Sequence, residues 1–256
     1  MRLGDEALAA VRIHSAGGIH AAAEALRDKV GEITGLLVNV THNIASSAPM
    51  RDESGAVLAE TVFRDDARPP WWRYPHFALT SPLPAACRFE AEPFWCNANG
   101  IHSPTTNLLL NSIDLHNFEE RALTRAAIVA PIHLPFGQIG AASFLSPDTQ
   151  VTDLSTQFDA YSEVLALLAR IFVASYVKVT ERRAPEFGAV NLTKREVECL
   201  RWAAAGKTND EIATIIGLKR TTIRFHIRTA AQKLDAVNRD QALFKAAQLG
   251  FLATLR

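Results

Sequence analysis

Two threonine–glutamate pairs constrain the C-terminal quarter of this chain more than any other feature. Thr193 is followed three residues later by Glu196, and Thr208 by Glu211. A hydroxyl and a carboxylate at that spacing satisfy each other's orphan backbone donors, so each pair marks the start of a helix. Asn238 and Gln241 form a weaker version of the same device. Gly206, Gly217 and Gly250 stand where helices should stop. Residues 192–247 therefore read as four short helices with a tight turn between the second and third. That is the helix-turn-helix arrangement.

The third helix, residues 220–234, carries the chemistry. Ile223, Ile227, Ala230, Ala231 and Leu234 fall within roughly 100° of the helical wheel and form a core stripe. Thr221, Arg224, Arg228 and Gln232 fall on the opposite face. Arg224 and Arg228 are four residues apart and lie one above the other. A guanidinium fork matches O6 and N7 of guanine, so two stacked arginines suit base reading. Lys219, Arg220, Lys233 and Arg239 flank this face and suit phosphate contacts, with Thr221 and Thr222 at the helix start completing the expected DNA-binding set. A basic helix alone is usually a solvated surface. Three capped helices and a glycine turn around it favour double-stranded DNA.

Charge supports the division of the chain. Overall, 27 basic side chains balance 27 acidic ones. Residues 188–256 hold twelve Lys and Arg against six Asp and Glu, and the remainder has the opposite excess. A basic module on an acidic body is the footprint of a nucleic-acid domain joined to something else. Cys87, Cys96 and Cys199 give no CxxC and no even framework, so neither a zinc site nor a disulfide scaffold is expected, and Cys199 reads as a small core residue. The sequence shows no signal-peptide pattern and no run of about 18 apolar residues. A cytoplasmic protein without a membrane partner is expected.

The elements L-T-K-R-E-x-E-x-L, G-K-T-N-x-E-I-A, T-I-R-F-H-I, K-L and N-R-x-Q-A, all within residues 192–247, resemble the LuxR-type C-terminal DNA-binding domain. The resemblance implies a homodimer on a two-fold symmetric operator. It also implies an autoinducer-binding domain in the N-terminal half, responding to a small-molecule effector.

The N-terminal pattern fits such a domain. Residues 19–30 read as an amphipathic helix, 33–40 as a strand, and 56–63 as a second strand after the turn residues Asp52 to Gly55. Residues 101–125 are expected to contain helix. Residues 127–134 and 139–145 read as a strand hairpin around Pro135 to Gln138, and 152–179 as a long amphipathic helix. The expected fold class is an α/β N-terminal α-β-α sandwich plus an all-α C-terminal four-helix helix-turn-helix domain. The expected domains are 1–179 for effector binding, 180–191 as linker, and 192–256 for DNA.

What the resemblance implies for the pocket is a set of departures. The family's aspartate, which holds a lactone's amide, falls on Ser81; its tyrosine falls on Trp72, its first tryptophan on Arg68, and its strand glycine on Ala127. The Pro-Phe-x-Trp segment is represented by Phe94 and Trp95, whose indole N–H would donate to a ligand carbonyl. Strand alternation adds Ser143. Trp72, Ser81, Phe94, Trp95 and Ser143 are thus the expected ligand contacts, for an aromatic or otherwise non-standard effector rather than an ordinary acyl-homoserine lactone.

Other function classes fare worse. A ligand-independent factor would use its N-terminal domain only for dimerisation, its pocket filled by its own side chains. A phosphorylated receiver would need an acidic pair next to a strand, and Asp5-Glu6 precedes none. No G-x-S-x-G, H-E-x-x-H or glycine-rich phosphate loop occurs, and the eight histidines are scattered. No enzyme, catalytic residue, metal or cofactor is expected.

Overall fold

The computed structural model describes residues 4–69, 71–74, 76–180 and 190–252, the side chain of Trp72 excepted. Strand alternation organises its N-terminal part. The strands are β1 (Leu37–Thr41), β2 (Phe94–Asn97), β3 (Gly100–His102), β4 (Ala126–His133) and β5 (Ile139–Leu145). They form one antiparallel sheet in the order β1-β5-β4-β2-β3. Register puts Val38, Phe144, Ile128 and Trp95 in one row across the sheet. The next row, Asn39, Ser143, Val129 and Phe94, points to the other face, because successive strand side chains alternate.

The helices of this unit are α1 (Asp5–Val11), α2 (Ile19–Thr34), α3 (Leu58–Thr61), α4 (Phe77–Thr80), α5 (Pro82–Cys87), α6 (Phe118–Ala122) and α7 (Ser155–Thr180). Leu26 and Val30 of α2 and Leu165, Leu168, Phe172 and Val173 of α7 bury against the row that holds Phe144 and Ile128. On the other face Ala86 and Cys87 of α5 and Phe118 of α6 pack on Phe94, Val129 and Leu145. The unit is therefore an α/β sandwich with helices on both faces of its sheet. By length and a mean hydropathy of 1.5, α7 would suit a membrane span, but Leu165, Leu168, Phe172 and Val173 bury in this core. Gly140 lets α7 come close: a Cβ there would stand 2.9 Å from both the Thr41 carbonyl and Val173 Cγ1.

Several sequence expectations are corrected here. Residues 56–63 are not a strand. Asp52 Oδ1 accepts from the amides of Ser54 and Ala56 and from the Ser54 hydroxyl, which folds the chain into a tight knot closed by one Arg51–Val57 bridge. Leu58 and Val62 then bury four residues apart, a helical spacing. The first strand starts at Leu37 because α2 runs on to Thr34 and ends in Gly35 at φ 69°. Residues 101–125 hold a strand, a 3₁₀ turn and only one short helix. Two unforeseen strands, β2 and β3, form a hairpin whose turn is tightened by Asn97 Oδ1 accepting from the Asn99 amide at 2.8 Å.

The C-terminal unit is a separate compact body. It comprises α8 (Lys194–Ala204), α9 (Asn209–Ile216), α10 (Arg220–Lys233) and α11 (Arg239–Gln248). Both capping boxes form with both of their hydrogen bonds, and Asn238 caps α11 through the Gln241 amide. Gly217, at φ 70°, makes the turn between α9 and α10 in a conformation that other residues adopt at a cost. Cys199, Leu200, Ile212, Ile223, Ala230, Leu234 and Ala242 are fully buried in its core. Ala231 is only half-buried. The expected linker falls largely on residues 181–189, which lie outside the described residues.

The Asp52 knot gives the N-terminal unit a pH dependence. The Ser54 hydroxyl, then His20 and the Ala56 and Ser54 amides, hold the Asp52 carboxyl down from 3.8 to about 2, against a desolvation that opposes them. His20 Nδ1 lies 3.0 Å from Oδ2. A depressed folded-state pKa stabilises fully above the unfolded value and is lost as pH falls through about 2. Asp52→Asn should therefore be less stable than the parent at pH 6 in urea denaturation. The gap should narrow as pH is lowered through 4 towards 2. A gap independent of pH would contradict this role.

Candidate nucleic-acid interface and candidate effector cavity

The solvent face of α10 is set by what the other helices bury. Ile223, Ile227 and Ala230 face α8 and α9, so the wheel leaves Thr221, Arg224, Phe225, Arg228 and Gln232 outward, all exposed. Arg224 and Arg228 make no hydrogen bond or ion pair among the described residues, and neither does Lys219 at the start of the helix. Arg220 is exposed and sits 3.4 Å from Asp210 Oδ1, a loose surface pair that is easily exchanged. Thr222 is half-buried beside them.

Two of the eight expected DNA contacts are engaged inside the unit instead. Lys233 Nζ donates to Glu196 Oε2 at 2.9 Å, and the Glu196 side chain is 4% exposed. Burial works to raise the Glu196 pKa, but the bonds from Lys233 and from the Thr193 amide outweigh it and leave the carboxyl below its ordinary range. Arg239 Nη2 donates to the Lys207 carbonyl at 2.7 Å and is half-buried. Both residues lie beyond the turns that carry Arg224 and Arg228, and a wheel cannot show which cations a neighbouring helix claims. Phe225 was missed. It is 64% exposed at the centre of the outward face, with His226 beside it, ring centroids 5.8 Å apart. Its apolar character left it outside a contact set chosen for charge and hydrogen bonding.

In the N-terminal unit, one face of the sheet floors a cavity of about 130 Å³. A single water needs roughly 10–15 Å³ by the same measure, so the space admits a small molecule. Asn39, Val129, Ser143 and Leu145 form the floor, and Phe63, Arg68, Trp71, Phe77 and Ser81 belong to the walls. Of the five expected ligand contacts, Ser81 and Ser143 line this space. Phe94 lies on the same face of the sheet but is fully buried in the layer beneath α5 and α6, off the cavity wall. Trp95 is corrected: the pleat turns it to the opposite face, where it stacks on His102 with ring centroids 4.4 Å apart. The expected alignment placed Trp95 without knowing that it sits in a strand, where one residue's difference reverses the face. Trp72 has its side chain outside what the structure describes. Its neighbour Trp71 lines the cavity.

Arg68 and Cys87 are among the wall groups not foreseen as contacts. Arg68 Nη1 donates to Asp65 Oδ2 at 2.7 Å and Nη2 donates to the Ser146 carbonyl at 2.7 Å, both side chains being 8% exposed. The alignment had marked Arg68 as a departure, and nothing in the local pattern tied it to Asp65. Cys87 also lines the space, and burial pushes its thiol up to about 12, so it is an inert apolar neighbour.

Comparison with known proteins bears on the C-terminal unit first. Residues 190–246 match the family described as bacterial regulatory proteins, luxR family. This unit carries a luxR-family helix-turn-helix domain. The chain is 39% identical to the transcriptional activator protein VanR of Vibrio anguillarum over 128 residues, 50% of this chain and 52% of that protein. It is 27% identical to the transcriptional activator protein AhyR of Aeromonas hydrophila over 178 residues, 69% of this chain and 66% of that protein. The chain thus spans about half to two thirds of the length of these relatives. Escherichia coli SdiA is 23% identical over 72% of this chain and 73% of that one, with a TM-score of 0.40. VanR and AhyR are both named as transcriptional activators.

The Lys233–Glu196 pair separates a structural from a DNA-contacting role. Lys233→Ala should lower stability by about 1 kcal/mol, a modest value because Lys233 is 35% exposed and screened by water. The salt dependence of DNA binding, read as the slope of log K against log salt, should stay the same. A slope reduced by about one with unchanged melting would restore Lys233 to the phosphate contacts.

Proposed function

We propose that this chain is a ligand-responsive transcriptional regulator of the LuxR type, which binds double-stranded DNA through α10 and an effector in the cavity of its N-terminal unit. The observation that carries the reading is the face of α10, where Arg224 and Arg228 stand exposed, their side chains unpaired among the described residues, in a luxR-family domain. In this reading residues 1–179 sense, 180–191 link and 192–256 bind DNA. The chain works in the cytoplasm as a homodimer on a two-fold symmetric operator, with half-sites about one helical turn apart. Arg224 and Arg228 read guanine; Lys219, Arg220, Thr221 and Thr222 position the helix on phosphates. Phe225, apolar between two arginines, suits the C5-methyl of thymine.

The cavity favours an effector-binding domain over one that serves only dimerisation. A pocket filled by its own side chains would leave no space of about 130 Å³. Ser81 in place of a carboxylate removes a charge-assisted hydrogen bond from an acyl-homoserine lactone amide. That loss costs about 1.5–3 kcal/mol.

Two outcomes follow. With an operator selected from random duplexes, Arg224→Ala should lose about 1–3 kcal/mol of discrimination against random DNA. Replacing the contacted thymine by deoxyuridine removes only a methyl group, and should weaken the parent protein about fourfold and leave Phe225→Ala unaffected. Equal weakening in both proteins would remove Phe225 from the base contacts. Equal loss of specific and random binding in Arg224→Ala would remove its reading role.

For the cavity, straight-chain acyl-homoserine lactones should raise the melting temperature little at concentrations where a true effector raises it by mass action. A large shift with a simple lactone would show that Ser81 serves the amide as well as a carboxylate does.

A further inference from the structure

The cavity wall holds more hydrogen-bond donors than its own surroundings use. Arg68 spends two N–H groups, on Asp65 Oδ2 and on the Ser146 carbonyl. A guanidinium carries five, and no other partner of Arg68 stands among the described residues. Its side chain is 8% exposed, and its remaining N–H groups stay within reach of water or of a molecule in the cavity. Arg121, a second guanidinium on the wall, directs Nε to the Thr80 carbonyl and Nη1 to Asp114 and the His116 carbonyl. Its Nη2 has no partner among the described residues. On the floor, Asn39 and Ser143 face each other across β1 and β5, and neither side chain makes a hydrogen bond there.

Charged acceptors are scarcer. Among the described residues Asp65 is the one carboxylate on the wall, and both its oxygens are taken: Oδ1 by the Ala67 amide at 3.0 Å and Oδ2 by Arg68. The wall therefore carries two guanidinium groups against one carboxylate. Asp114, which partners Arg121, is 69% exposed and off the wall, where solvent screens its charge. Apart from Thr41 and Ser81, the rest of the lining, including Phe63, Trp71, Phe77, Val129 and Leu145, is apolar.

Donors that meet only water in the free protein can be met by a ligand's acceptors, and more strongly where the acceptor is charged. An anionic oxygen also meets the excess positive charge, which a neutral ester or lactone does not. We propose that the effector is an amphiphilic carboxylic acid: an apolar or aromatic body in the cavity and a carboxylate received by Arg68, with Asn39 and Ser143 as further donors. This rests on the reading of the cavity as the effector site and names the chemistry of its ligand.

The test is thermal melting and titration of the full chain with decanoate and trans-cinnamate, each beside its methyl ester, and with an acyl-homoserine lactone. At least one acid should raise the melting temperature and bind about tenfold tighter than its ester. Arg68→Gln, which keeps donors without the charge, should bring the acid to the level of its ester and leave the ester unchanged. Because Arg68→Gln strands the Asp65 carboxylate, the double variant Asp65→Asn with Arg68→Gln repeats the test with a neutral pair. Esters that bind as well as the acids would overturn the carboxylate inference and leave the effector reading standing. A shift with the lactone alone would do the same. No shift with any probe, in a chain that still binds its operator, would overturn both.

Discussion

The C-terminal unit turns on one buried carboxylate. Glu196 accepts from the Thr193 amide at 2.7 Å and so closes the start of α8. It also accepts from Lys233 at the last residue of α10. One side chain thus fixes the beginning of the first helix and the end of the third. With Ile223 and Ile227 buried against α8 and α9, the roll of α10 is determined, and with it the set of residues that face outward. A carboxylate this buried is tolerated because a cation and a backbone donor meet it. A neutral glutamine there would keep a cap acceptor but lose the attraction for Lys233.

The same economy decides what the basic face does. Lys233 and Arg239 are held by Glu196 and by the Lys207 carbonyl, so they contribute charge to the surroundings and geometry to the fold. Arg224, Arg228 and Lys219, whose side chains have no partner among the described residues, stand on α10 or at its start. In the N-terminal unit the balance differs. There an ion pair, Asp65 with Arg68, is built into a cavity wall, where desolvation makes each unpaired donor matter more than on a surface.

The C-terminal unit was legible because its signals are local. Threonine–glutamate spacing, glycine stops and a 3.6-residue stripe each act within one or two turns, and all four helices appear where they were expected. The N-terminal unit was legible only where the pattern is long: α2, α7 and the β4–β5 hairpin. Residues 56–63 have the composition of a strand, but a side-chain knot at Asp52 turns them into a helical turn. Phe94 and Trp95 sit in a four-residue strand whose face is set by its pairing with Ala127 and Ile128, a long-range fact. The cavity's charged wall joins Asp65, Arg68 and Ser146, whose proximity no local pattern carries. Ser81 and Ser143 were found through a family alignment and through strand alternation, and both line the cavity.

The central claim is that the face of α10 centred on Phe225 meets the double helix. A photo-crosslinking amino acid placed at position 225, and in a second protein at the still more exposed Leu79 of the N-terminal unit, tests it most directly. Irradiated with a bound duplex, the chain labelled at 225 should crosslink to DNA bases and the chain labelled at 79 should not. Absence of crosslinking at 225 in a protein that still binds DNA would contradict the account.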